Sequence, residues 1–254
     1  MEIFDVLIGE LRSRIEEWKN SGRKTREIQC PTSVEELEKG LPLGGRRIIL
    51  REDTFVELGN PKTASAALVL WTENPELVRD GYITIVGPDI PEVEGYLPFA
   101  QITLTRVLGL RPEDYRVLRR NQYDVHLDGY MLRAVPQRQR VWSRVSREVV
   151  ERGFTLETLG RALMVSLKKN PPRAEAVEMV FVTSSEEDVK TLGELTETAW
   201  KATKPVKAAP AYDCTNCENE EICDEIWRML QLRRGLKAEG KRPPILCSDS
   251  QDLE

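Results

Sequence analysis

Tyr82-Ile-Thr-Ile-Val-Gly-Pro88 is a short run of apolar and β-branched residues cut off by a Gly-Pro break. That composition and length predict a buried strand with a turn after it. Working outward, Arg47–Arg51, Thr54–Leu58 and Ala66–Trp71 repeat the pattern upstream, with Gly59-Asn-Pro61 and Glu73-Asn-Pro75 as punctuation. Phe99–Leu108 repeats it downstream, and Val177–Val182 adds a further strand.

Helical patterns flank this region. Phe4, Leu7, Ile8, Leu11, Ile15 and Trp18 fall on one face of an N-terminal helix that Asn20-Ser-Gly22 stops. Ser33 with Glu36 has capping-box spacing, which predicts a short helix after Pro31. Pro112, followed by Glu113 and Asp114, suits a helix start. Tyr123–Leu127, which contains His126, the single histidine, also reads as helical. Gln137–Glu151 reads as a helix ending at Gly153, Leu156–Lys168 as another closed by Asn170-Pro-Pro172, and Ser185–Ala202 as one with an acidic first turn. The expected fold is α/β, a mixed sheet with flanking helices over residues 1–203. A linker, Lys204–Pro210, and a small cysteine-rich metal-binding segment occupy residues 204–254.

Apolar residues at 40% and charged residues at 31% are enough to build a core. No apolar run approaches the ~20 residues of a membrane span. The start, Met1 to Trp18, lacks the basic leader and apolar stretch of a signal peptide. A reducing, cytoplasmic setting is therefore expected, in which clustered thiols read as metal ligands rather than disulfides.

Four of the five cysteines are Cys214, Cys217, Cys223 and Cys247. The C-x2-C pair turns two thiolates toward one centre, Cys223 adds a third corner, and Cys247 can return as the fourth. A [4Fe–4S] cluster requires four such corners, and structural zinc takes the same set. The isolated setting of Cys247 lacks the second C-x2-C knuckle usual for zinc, which favours iron–sulfur, with zinc as the alternative. Cys30, alone before Pro31, reads as an ordinary partly buried cysteine.

The net charge of −5 conceals a basic block. From Arg106 to Arg152 there are eleven arginines, no lysine and six acidic residues. Arginine forks match phosphate oxygens. Arg140, Arg144 and Arg147, at i, i+4 and i+7, would share a helix face, with Arg133 and Arg138 just before it. Trp142 could stack a nucleobase, so coenzyme A or an acyl-CoA would use both features. The competing reading makes Trp142, Val145 and Val149 a core stripe and the arginines a solvated face paired with Glu148 and Glu151. The acidic whole, without interleaved exposed aromatics, argues against nucleic acid. No Ser-His-Asp set, Gly-rich phosphate loop or catalytic carboxylate pair is present, so no catalytic residue is assigned.

Several stretches, in order, carry a family resemblance. They are Val56-Glu-Leu-Gly-Asn-Pro-Lys-Thr-Ala-Ser65, Leu70-Trp-Thr72, Asp80-Gly-Tyr-Ile-Thr-Ile-Val-Gly-Pro-Asp-Ile90, Leu97-Pro98, Gln137-Arg-Gln-Arg-Val-Trp-Ser-Arg-Val-Ser146 with Gly153-Phe154, and the strand–Thr–acidic-helix pattern around Val177–Val189. Together they resemble the acetyl-CoA synthase subunit of carbon monoxide dehydrogenase/acetyl-CoA synthase, over most of residues 45–230. The resemblance implies the family's middle α/β domain. It also implies that Trp142 and Arg144 lie near coenzyme A, and that Cys214, Cys217 and Cys223 correspond to ligands of the family's [4Fe–4S] cluster.

Two departures matter. The fourth cysteine is distant, at Cys247, and no Cys-Gly-Cys for a distal nickel occurs in the 254 residues. The family's large N-terminal domain has no counterpart in them either. The expectation is a subunit of a CO-methylating, acetyl-CoA-synthase-like system in anaerobic acyl-CoA metabolism, not a complete synthase alone. The alternative is a non-catalytic iron–sulfur or zinc scaffold, or an electron relay, in a larger anaerobic complex. Either way its partners are other subunits of that complex.

Overall fold

The computed structural model describes residues 2–45, 47–60, 65–111, 114–135 and 140–203. Cys214, Cys217, Cys223, Cys247 and Arg138 lie outside the described residues, as do Pro112 and Glu113.

Helix α1 (Glu2–Asn20) forms as its apolar spacing predicts, and Phe4, Leu7, Ile8, Leu11, Ile15 and Trp18 are all buried. Gly22 adopts the left-handed region beyond its end, which glycine enters without strain. Helix α2 (Val34–Glu38) starts at Ser33, whose hydroxyl accepts the Glu36 N–H. Thr155 and Thr158 cap α5 (Leu156–Lys169) reciprocally. Helix α6 (Glu186–Thr203) begins with three acidic residues beside its positive end.

The larger sheet contains β1 (Thr25–Gln29), β4 (Tyr82–Val86), β9 (Ala176–Val182), β6 (Phe99–Arg106) and β3 (Ser65–Thr72), in that spatial order. The pairs β1/β4 and β9/β6 are antiparallel, while β4/β9 and β6/β3 are parallel, so the sheet is mixed. Helices cover both faces. Gly160 of α5 abuts the side chains of Ile83 and Phe181 on one face, and Arg12 of α1 reaches Glu178 on the other. Burial on both sides explains why β3, β4 and β9 read as largely apolar runs, whereas β6 also buries the polar Gln101, Thr103 and Thr105. Each fully buried Leu, Ile or Phe contributes about 1.5–3 kcal/mol, and Phe99 stacks on Phe181 at 5.8 Å within this core.

Among the described residues three carboxylates are buried, Asp89, Glu178 and Asp188, and Glu178 is the most enclosed. Glu178 is 1% exposed and accepts from Arg12 Nη2 at 2.9 Å, Arg79 Nε at 3.0 Å and the Arg79 backbone N–H at 2.8 Å. These donors replace the water it has lost, and removing them would cost about 3–5 kcal/mol.

A second sheet orders β5 (Gly95–Leu97), β2 (Thr54–Leu58), β8 (Arg140–Ser146) and β7 (Tyr130–Val135). The pair β2/β5 is parallel, whereas β2/β8 and β8/β7 are antiparallel. Its β8 packs against β3 and β6 of the larger sheet. The remaining α-helices among the described residues are α3 (Tyr115–Asn121) and α4 (Arg147–Glu151), with short 3-10 turns at Pro75–Leu77 and Ile90–Glu92.

Here the structure corrects the expected helix over residues 137–151. Residues 140–146 form a central strand, and only 147–151 are helical. Val141, Ser143 and Val145 are buried, while Arg140, Trp142 and Arg144 alternate with them on the outer face. An i, i+4 pair shares a face in either geometry, because four is even in a strand. An i, i+7 pair does not, so Arg147 leaves the row. Two further expectations are corrected. Residues 47–51 form no strand, since Ile48 and Leu50 point outward and only Ile49 is buried. His126 lies in a non-helical segment before the turn at Asp128-Gly129.

Candidate functional site

The outer face of the second sheet brings the sequence-predicted residues together. Strand register sets Tyr96, Glu57, Arg144 and Met131 side by side in one row across β5, β2, β8 and β7. Trp142 and Arg133 are direct partners in the next row. With Gly59 and Asn60 they line a hollow of about 240 Å³. The inward residues of the same strands, Val56, Leu58, Leu97, Val141 and Val145, are buried and hold the face rigid.

Gly59 follows the last register pair, Leu58 with Ser143, and so continues toward Trp142. Its N–H donates to the Leu97 carbonyl at 2.8 Å, and its φ of 74° lies in the left-handed region. With no side chain there, the indole, itself half-buried, stays open to the hollow.

The arginines divide by partner. Arg144 donates from Nε to Glu57 Oε1 at 2.8 Å and from Nη1 to the Ile49 carbonyl at 3.2 Å. Arg133 is exposed and has no ion pair with a described residue. Arg140 extends the outer row of β8 past Trp142. Arg147 turns away at the start of α4, pairs with Glu94 and lies 5.5 Å over the Phe55 ring. It lines a separate hollow of about 460 Å³ with Glu52, Asp53, Asp128, Glu148 and Glu151, whose acidity suits no polyphosphate. The expected three-arginine face is thus a two-arginine strand row joined by Arg133 from β7. Carboxylates outside the basic block neutralise part of it, as the pair of Arg106 with Glu175 at 2.8 Å also shows.

Tyr96 Oη donates to Glu186 at 3.1 Å, and burial with that carboxylate raises its hydroxyl pKa far above the usual value. It is a neutral donor at every physiological pH. Sequence reasoning does not single out Glu57, Gly59 or Tyr96 as site residues. The signal for them is the period-two alternation of Arg140-Val-Trp-Ser-Arg-Val-Ser146, which identifies a strand and demands neighbours.

His126 is exposed and bonded to Asp124 at 2.9 Å. Among the described residues no group of three or more His, Cys, Asp or Glu could hold a metal. Cys30, just past the end of β1, is buried, and its thiol is pushed up to about 11 by that burial, with Glu157 adding to the effect. It is a protonated thiol, unsuited to ligation.

The family model for the CO dehydrogenase/acetyl-CoA synthase complex beta subunit matches residues 37–189. The chain belongs to that family. It is 30% identical over 182 residues to an acetyl-CoA decarbonylase/synthase complex subunit beta 2 of Methanosarcina thermophila, covering 67% of this chain and 38% of the relative. It is 31% identical over 175 residues to the subunit beta of Methanothermobacter thermautotrophicus, covering 67% and 34%. For the subunit beta of Methanopyrus kandleri the figures are 33% over 139 residues, covering 53% and 29%. The matched stretch therefore spans between 29% and 38% of the length of these beta subunits. The family match contains every described residue lining the 240 Å³ hollow and ends before Cys214. No helix among the described residues is long and apolar enough to cross a membrane.

Proposed function

We propose that this beta-subunit relative binds coenzyme A, or an acyl-CoA, on the outer face of its second sheet. In this reading it also carries an iron–sulfur cluster on Cys214, Cys217, Cys223 and Cys247, and works in the cytoplasm with further subunits of an anaerobic complex. The observation that carries the reading is the strand row that sets Trp142 beside Arg133 and Arg144 around one hollow. An indole face stacks a purine, and guanidinium groups beside it take the attached phosphates. The printed names of the relatives, each a subunit of a decarbonylase/synthase complex, support the partnership.

Four thiolates are the donor set a [4Fe–4S] cluster requires, and they fit zinc as well. When bound, such a cluster supplies electron transfer. The chain's own contribution on the described face is to bind and orient the nucleotide end of the coenzyme.

Calorimetric titration of the anaerobically purified chain with coenzyme A tests the reading. Micromolar binding is expected, and Trp142→Ala should weaken it by about 1–3 kcal/mol, the range for losing one base–aromatic stack. Arg144→Ala should weaken it too. Absence of binding by the folded protein would refute the coenzyme site. The pairing of Arg144 with Glu57 favours a second reading, a non-catalytic iron–sulfur or zinc scaffold or electron relay. In that case metal would be retained while coenzyme A gives no heat.

A further inference from the structure

Among the described residues, Glu57 is the one carboxylate lining the hollow, and it is the direct Cα partner of Arg144 across β2 and β8. Its Oε1 already holds Arg144 Nε at 2.8 Å, and the Ile49 carbonyl holds Nη1 at 3.2 Å. An arriving phosphate therefore meets a guanidinium that is partly engaged and a negative charge beside it. Both partners are part-exposed, at 26% for Arg144 and 44% for Glu57, so the pair can open without stranding a buried charge.

We propose that Glu57 is the specificity-determining residue of this site. It acts as an internal anion that competes with the ligand for Arg144. Resting on the coenzyme reading above, the inference assigns Glu57 a filtering role. A bare inorganic phosphate or pyrophosphate has only charge to offer and is repelled. A phosphorylated nucleotide also stacks on Trp142, which the carboxylate does not oppose, and that contact carries it past the barrier. The hollow thereby selects ligands that combine an aromatic base with phosphate.

The test is calorimetric titration of the full chain, purified anaerobically, with coenzyme A and separately with inorganic pyrophosphate. E57Q keeps the shape and removes the charge. It should bind coenzyme A about tenfold tighter, on the scale of one charge–charge contact in a half-exposed site. It should also bind pyrophosphate at concentrations where the wild-type protein shows none. E57D, which keeps the carboxylate but withdraws it by one methylene, should lie between the two and guards against a folding defect in E57Q. Both gains should vanish when Arg144→Gln is added, which a purely structural role for Glu57 would not produce. If E57Q and E57D bind coenzyme A as the wild type does, or more weakly, the inference is overturned while the coenzyme site stands. If neither wild type nor E57Q binds coenzyme A, the site and the inference fall together.

Discussion

Arg133 on β7 and Trp142 on β8 are direct cross-strand partners on the outer face of the second sheet, so a positive charge and an aromatic plane stand side by side at the mouth of one hollow. On the coenzyme A proposal, their contributions to binding should separate by salt. Arg133→Ala should lower the affinity about fivefold at low salt and flatten its dependence on ionic strength, because an exposed charge is screened. Trp142→Ala should lower the affinity and leave the salt slope unchanged. Identical slopes in both variants would contradict the assignment.

Gly87 follows β4 with φ at 114°, and its N–H donates to the Lys24 carbonyl at 2.8 Å. A Cβ added there would lie 2.4 Å from the Ser184 nitrogen and 2.7 Å from the Thr183 carbonyl carbon, both backbone atoms that cannot rotate away. Gly87→Ala should therefore destabilise the protein by about 3 kcal/mol, combining a strained backbone with overpacking. Urea denaturation measures it, and a loss below about 1 kcal/mol would contradict the geometry.

Asp188 sits in the first turn of α6. Burial alone would raise its pKa, but the paired bonds from Arg23 at 2.9 Å and the Ser184 hydroxyl at 2.6 Å outweigh that and hold it below the usual carboxylate value. A carboxylate depressed in the folded state contributes stability that is present above its unfolded pKa and lost as pH falls through the folded one. Asp188→Asn should be less stable than wild type at pH 7 by about 1–2 kcal/mol. The gap should close as the pH is lowered below about 4. A gap that does not shrink at all between pH 7 and about pH 2 would assign the effect to packing instead.

Cys30 is 5% exposed, and its thiol is shifted to about 11 by burial. The reactive thiolate is thus scarce at neutral pH as well as shielded. Iodoacetamide at about pH 7.5, well below that value, should leave the Cys30 peptide unmodified in the native protein and label it fully in urea, as read by mass spectrometry. Rapid native labelling would mean that this end of β1 opens.

The cysteine-rich segment makes its own demand. Anaerobic protein should carry about four irons and four sulfides per chain, with broad absorbance typical of thiolate-ligated clusters. Cys214→Ser should lose most of both and sensitise the segment to protease. Zinc at about one per chain, with no sulfide, would select the structural alternative.

The large sheet is legible in the sequence because β3, β4 and β9 are almost wholly buried, so Ala66–Trp71, Tyr82–Val86 and Val177–Val182 are apolar runs broken only by Thr84 and Glu178. Edge strand β1, Thr-Arg-Glu-Ile-Gln, buries little and leaves no such trace. Three-residue β5 is too short to show a period. The site strand β8 imitates a helix because Arg140 and Arg144 share a face in a helix and in a strand alike. Two of its residues discriminate. A helix would bury Trp142 in one stripe with Val145 and Val149, whereas the strand turns Trp142 outward and buries Ser143 between Val141 and Val145. Residues 47–51 imitate a strand because Ile48 and Leu50 are apolar yet exposed. The arginines and the tryptophan of the hollow are visible in the sequence. Glu57 and Tyr96 join them only through cross-strand register, which a linear reading does not contain.

Strands β2 and β5 pair in the second sheet, and the strands that follow them, β3 and β6, pair in the first, again in parallel. Between β5 and β6 stands a single residue, Pro98, whose ring fixes its own φ. Tyr96, at the hollow, is therefore three residues from Phe99, which stacks on Phe181 in the core. That short, stiff joint works as a fulcrum. A push on β5 would not be absorbed on the way but would arrive at the buried Phe99–Phe181 stack of the large sheet, which resists it. The outer face of the second sheet thus borrows its rigidity from the core.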